Sequence, residues 1–527
     1  MNSARALLTT LIVVTGGAAA SEGPRSVIPW LSESLSKDPW DDSLLPMFGD
    51  PNGDIAGTTP FGLEPITTTS LDDPVREGLG LLVPRDSGFP QDLWGNTSSL
   101  RVRSMLAARE PAGVPAARRL FHDILIAQTA PPPGSGVTNA LLLARIDALL
   151  TAGYLDASAA LLDRMDATDP EVFRRVFDVA LLTDQEEAIC ARLRGSPALS
   201  PTLTARVFCL ARGGDWDAAA LTLQTGHDVG LISGEEEALL AAFLDPSLVE
   251  DATFTGPESP LTTLNFVLRD SIALPRASGK LPVAFEFLDA AEGNAQRTRM
   301  EAMERLVKEG VLAESALFEV YRAGKPASSG GIWDRAKVVQ DLDDAFAIGA
   351  TDGIARALRA ADETLGLAGL RLAFAQAFRR QLAALDAAGF DPADQRVVFE
   401  LLLLADNIEE ARKWRADNGD ATARFELALI HEGQAFPGTD ALEPNRAAIA
   451  SGLSAEGPTS ETATEIAALF DGGRFGEGLL RTLDLLTAGP EADPQDLASA
   501  LFLLRHAGLT DQARQIAIQS LYLLQEA

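Results

Sequence analysis

Seven times along these 527 residues a small or turn-forming residue is followed two places later by a mostly bulky apolar one, and five places later by Ala, Gly or Ser. Clear copies are Gly214/Trp216/Ala219, Gly310/Leu312/Ser315, Asp406/Ile408/Ala411, Gly473/Phe475/Gly478 and Gly508/Thr510/Ala513. A weaker copy stands at Thr183/Gln185/Ala188, and a first one near Ala152 leaves its register open between Leu155 and the pair Tyr154/Ala157. The spacing predicts two helices joined by a tight turn. The small residue, Ala157, Ala219, Ala411 or Ala513, faces inward where the paired helix comes close, and the bulky one, Trp216 above all, wedges between the two. Hairpins of this kind cannot bury their apolar stripes alone, so they stack on one another. The expected fold is therefore all-α, an α-solenoid of degenerate helical hairpins.

Turn chemistry agrees. Gly153, Gly213-Gly214, Gly310, Gly389 and Gly508 stand where helices would end, and Asp169-Pro170, Ser200-Pro201 and Asp391-Pro392 supply an N-cap followed by a first-turn proline. Apolar residues three or four apart, such as Leu142, Ile146, Leu149 and Leu150, give the helical period, and no strand alternation competes with it.

The N-terminal region has a different character. Met1 to Ala20 carries one charge, Arg5, then an apolar run and a small-residue stretch, the layout of a secretory leader cut after Ala20. Its run falls well short of the roughly 20 residues that a bilayer span needs, and no later stretch qualifies as one. Residues 21–92 read as an extended acidic arm rich in Pro and Gly. Its apolar islands, such as Leu79 to Val83, are expected to latch onto the folded body or onto a partner. Residues 93–138 then hold the first helices, 139–250 a helical repeat block and 251–435 a middle helical block. Residues 436–459, with Pro437-Gly438 and Gly457-Pro458, form a linker, and 460–527 the C-terminal helical repeats.

Formal net charge is −31, a field that repels nucleic acid and anionic lipid, and no local basic patch offsets it. The two cysteines, Cys190 and Cys209, fall on successive helices joined across Pro197 and Pro201. Antiparallel packing allows either a disulfide or two buried thiols that pack as small apolar groups. The four histidines are scattered, and CxxC, HExxH, GxSxG and phosphate-loop patterns are missing. Asp50 to Asp54 starts like a calcium loop, but Ile55 stands where that loop needs Gly and Phe61 where it needs Glu. Neither a catalytic residue, a cofactor nor a metal is expected.

The run Cys209 to Trp216 with Ala219 resembles the turn inside a tetratricopeptide repeat. With the leader, the acidic arm and the length, the chain also resembles a group of alpha-proteobacterial periplasmic tetratricopeptide-like proteins, sometimes labelled antifreeze proteins. That resemblance implies support of envelope integrity through contact with other periplasmic proteins and transfers no functional residue. The expected function is an exported scaffold or adaptor for envelope proteins. Its alternatives are a structural subunit of a secretion, pilus or motility machine and, further off, a peptidoglycan-acting enzyme or its accessory factor. The latter needs a catalytic module, and the helical pattern runs on from Leu497 to Leu524.

Overall fold

Six of the seven turns that the spacing marks, all but that at Gly310, share one backbone solution. In each, a helix ends, one residue takes a left-handed conformation, and the next helix begins two places later. Gly153 (φ 90°), Gly214 (81°), Gly473 (71°) and Gly508 (81°) occupy that position, as do the non-glycine Asp184 (57°) and Asp406 (53°). The N–H of the following residue reaches the carbonyl five places back: Tyr154 to Leu149 at 2.9 Å, Asp215 to Leu210 at 3.0 Å, Asn407 to Leu402 at 2.9 Å and Leu509 to Leu504 at 2.8 Å. This closure satisfies carbonyls that a helix end leaves open, and glycine suits it because an L side chain there costs about 1–2 kcal/mol. Helices Leu155–Leu162, Glu186–Gly195, Trp216–Asp228, Ile408–Ala411, Phe475–Asp484 and Thr510–Tyr522 all start in this way.

This computed structural model describes residues 76–523 apart from 108–112, 137, 250–253, 255–260, 276–280, 326–329, 416–419 and 432–433. The leader with its cut after Ala20, the Asp50 to Asp54 turn and the arm up to residue 75 lie outside the described residues. Within them the chain is all-α: no strand forms, and the one ladder contact is an isolated parallel bridge between Leu82 and Ala127. No helix among the described residues is long and apolar enough to cross a membrane.

The small inner residue is explained by contact. Ala219, Ala411 and Ala513 are fully buried. At Gly478 a methyl group would sit 2.7 Å from the Phe470 ring. Three expected assignments shift. The first turn is set by Gly153, so Ser158 takes the buried place and Ala157 stands half-buried beside it. The second is set by Asp184, so Ile189 replaces Ala188. After Gly310 the next helix starts only at Glu314, so Leu317 goes inward and Ser315 faces out.

Trp216 is the largest correction. It is 51% exposed, not wedged in the core, because helix Trp216–Asp228 buries only Ala219, Leu223 and Gly226, a narrow stripe that leaves its first residue outside.

Two cores share one wall. The main core runs from Phe89 to Tyr522 and the second gathers residues from Phe173 to Leu268. Helix Pro170–Leu182 serves both, giving Val172, Val179 and Leu182 to one side and Phe173, Phe177 and Leu181 to the other. Its charged residues are accordingly buried with partners. Arg175 holds Asp147 through two bonds of 2.6 and 2.7 Å.

The chain then returns to its start, the C-terminal helices packing on the first ones. Helix Thr510–Tyr522 packs on both Pro115–Ile126 and Pro392–Leu404. The Gly476 N–H donates to the Leu93 carbonyl at 2.6 Å, and the Ala116 N–H donates to Gln519 Oε1 at 2.7 Å. A methyl group on Gly95 would fall 1.7 Å from the Gly473 oxygen, and one on Gly476 would fall 2.5 Å from the Trp94 ring, so this seam admits only glycine. Two expected segments change meaning. Residues 436–459 are more than a linker: helix Pro444–Ser454 lies there, packed so closely on Pro494–His506 that Gly452 has no room for a side chain. Likewise the last part of the arm, 76–92, is seated on the body, with Glu77 and Phe89 buried.

Glu477 anchors the seam. Its side chain is fully buried and accepts from Thr97 at 3.3 Å and Arg101 at 3.4 Å, with Arg474 alongside. Burial alone would raise its carboxyl, but Arg474 and then Arg101 hold it below the ordinary 4.5. A carboxyl depressed by folding contributes stability above its unfolded pKa, and that contribution is lost as pH falls through the depressed value. Glu477→Gln is therefore expected to cost about 1.5–3 kcal/mol at pH 7, and the gap from wild type to close as pH drops below 4.5. Urea unfolding at pH 7 and pH 3 checks this; a pH-independent gap would remove the seam role from the ionised carboxylate.

Candidate functional site

Where the helices face one another across the main core they line a half-open cavity of about 1550 Å³. Its wall is drawn from the inner sides of helices Pro115–Ile126, Thr351–Leu367, Arg371–Ala377, Pro392–Leu404 and Thr510–Tyr522, with the turn around Gly310.

The wall is rich in charge, and much of that charge is already paired. Arg371 donates to both oxygens of Asp362 at 2.7 and 3.0 Å, to Glu400 at 2.8 Å and to the Tyr522 carbonyl at 3.0 Å. Arg396 bridges Glu400 at 2.5 Å and Glu426 at 2.9 Å, and Arg415 reaches Glu426 at 2.6 Å. Burial works against the Arg371 cation, but Asp362 and Glu400 outweigh it and raise its pKa. The Tyr522 hydroxyl, which donates to Glu426 at 3.3 Å, is pushed well above 10 by burial and by Glu426 and Glu400. Such a network ties five helices into one rigid wall. Chemically it offers positioned charge and hydrogen bonds.

One corner holds groups of another kind. His122 Nδ1 lies 3.2 Å from Asp123 Oδ1, and its ring is 4.5 Å from the ring of Tyr154, all three on the cavity surface. Burial raises the Tyr154 hydroxyl. Among the described residues no group of three or more His, Cys, Asp and Glu side chains is placed to hold a metal.

The sequence-predicted residues fall in different places. Cys190 and Cys209 form a disulfide with Cα atoms 4.8 Å apart, joining helices Glu186–Gly195 and Leu203–Arg212 in the second core. Ala219 lies in that same lobe, Ala411 and Ala513 in the main core, and none of them reaches the cavity surface. The cavity network escaped the sequence reading, although Arg371, Glu400 and Glu426 each interrupt an apolar stretch of a helix, which is the signal that could have found them.

Compared with protein-family models, with curated proteins and with solved structures, the chain matches none.

Proposed function

We propose that this protein is an exported, periplasmic scaffold or adaptor that holds other envelope proteins and so supports envelope integrity. The helix pairs are read as degenerate tetratricopeptide-like repeats of a solenoid whose concave side forms a half-open cavity. The cavity carries this reading. At about 1550 Å³ it exceeds the roughly 300–1,000 Å³ of pockets that take small molecules, and its mixture of apolar side chains and fixed, paired charge suits a polypeptide segment. The disulfide adds support for an oxidising compartment, where such bonds form and persist. In this reading the binding step is the function and no catalytic step is assigned.

The test is site-specific photo-crosslinking in intact cells. A crosslinker at Gln376, on the cavity surface, is expected to capture an envelope protein, and one at Arg424, exposed but outside the cavity, is not. Equal capture from the two positions, or a cytosolic protein that still carries its leader, would overturn the reading. Capture of a fixed stoichiometric assembly would turn it towards a structural subunit of an envelope machine.

A further inference from the structure

We propose that the outer face of the disulfide-bridged lobe is a second docking surface, one for a basic amphipathic segment of a partner protein. The inference rests on the scaffold reading only in taking the chain to bind proteins, and it concerns a surface remote from the cavity wall.

Apolar exposure comes first. Helix Trp216–Asp228 touches the lobe through the single stripe Ala219, Leu223 and Gly226, leaving the rest of its surface open. On that open surface Trp216 is 51% and Leu221 68% exposed, and just past the helix end Val229 is 63% and Leu231 55% exposed. Of the eight large apolar side chains exposed among the described residues, five fall between Trp216 and Leu248, which makes this a concentration and not a scatter. A half-exposed Trp beside branched aliphatics is the composition from which interface anchors are drawn.

Charge then selects the occupant. No Lys or Arg stands anywhere between Arg212 and Arg269, while acids recur, among them Asp215, Asp217, Asp228 and the run Glu235 to Glu237. Arg212 itself is engaged, paired with Glu186 and lying over the Phe208 ring at 5.5 Å. Arg194, which lies against Gly213, is likewise engaged, donating to the Cys209 carbonyl at 3.0 Å, so acids predominate around the apolar residues. Anionic lipid and nucleic acid are repelled by such a field, and a second copy of the chain would bring the same excess of negative charge. What fits is a helix or strand with apolar anchors on one side and Lys or Arg around them. The surface is also held in advance of binding, because the Cys190–Cys209 bridge braces helix Leu203–Arg212, on which the exposed helix rests.

The experiment uses the full-length protein and a short Leu/Lys peptide of helical period as probe, with its Leu/Glu counterpart as control. Trp216→Ala combined with Leu221→Ala is expected to weaken binding of the Leu/Lys peptide about tenfold or more. Leu100→Ala combined with Ile348→Ala, also exposed but elsewhere, should leave it unchanged. Because all four side chains are exposed, thermal unfolding should coincide with wild type in both variants. Neutralising Asp215, Asp217 and Asp228 to Asn should weaken binding and flatten its salt dependence. Unchanged affinity in the Trp216/Leu221 variant, equal binding of the Leu/Glu peptide, or self-association that this variant abolishes would each overturn the proposal. Crosslinking from Gln376 in that variant separates the two readings: capture that persists there leaves the cavity function standing whichever way the outer face turns out.

Discussion

Replacing Arg145 by Met is expected to destabilise the protein by about 3–5 kcal/mol, a large part of the whole stability of an ordinary domain. Arg145 is fully buried, and its guanidinium donates to four backbone carbonyls: Leu125 at 2.8 Å, Ala127 at 2.6 Å, Leu79 at 2.8 Å and Glu77 at 3.3 Å. Burial pulls the guanidinium down to about 10, with Glu77 acting the other way, so it stays charged at neutral pH. Glu77 in turn caps helix Ala140–Thr151, accepting from the N–H groups of Leu141 at 2.8 Å and Leu142 at 3.0 Å. Burial pushes its carboxyl up, and those N–H groups pull it back. Methionine would fill the space but leave four carbonyls without their donor and the buried Glu77 carboxylate without its neighbouring cation. The double variant Arg145→Met/Glu77→Gln should recover part of the loss, because it removes the uncompensated charge. Urea unfolding measures both; a cost below about 1 kcal/mol for the single variant would show that this pair does not hold the segment from residue 76 to the body.

Breaking the Cys190–Cys209 bridge should cost about 3 kcal/mol, the chain-entropy value for a loop closed across 19 positions. The loss should be local. The second core is separate from the main one, so its helices should open below the denaturant concentration that unfolds the rest. Comparing urea unfolding with and without reductant, followed by hydrogen exchange at Phe208 and Leu240, resolves this. An unchanged midpoint on reduction would mean that the lobe's packing suffices alone.

The tight turns were legible in the sequence because their requirements are local. A left-handed residue, a bulky residue two places on and a small one at five are each dictated within one turn of chain, as Gly508 and Ala513 show. The offset fixes an angular position on a helix but not whether another helix lies there. Phe475 meets the Phe470 ring at 5.4 Å, whereas Trp216 in the equivalent place faces out. The linker reading of 436–459 missed for a related reason: Pro437-Gly438 and Gly457-Pro458 signal turns at its ends, but Pro444 between them stands at the first position of a helix, where proline starts one. Arg145 stood three residues after Leu142 and four before Leu149, on the apolar stripe itself, a visible sign of a buried cation. Its partners Glu77 and Leu79 had no such mark, since a site assembled from distant segments leaves no periodicity behind.

The closing seam bears on the order in which the molecule can be made. Thr97 meets Glu477 across 380 residues and Ala116 meets Gln519 across 403, so these bonds are among the last that a growing or emerging chain is able to form. Until then the early helices hold an unfinished edge, with Trp94 waiting for the glycines that will cover it. A nascent chain released too early would therefore differ from the finished protein in one telling respect: its interior would still be open to whatever passes by.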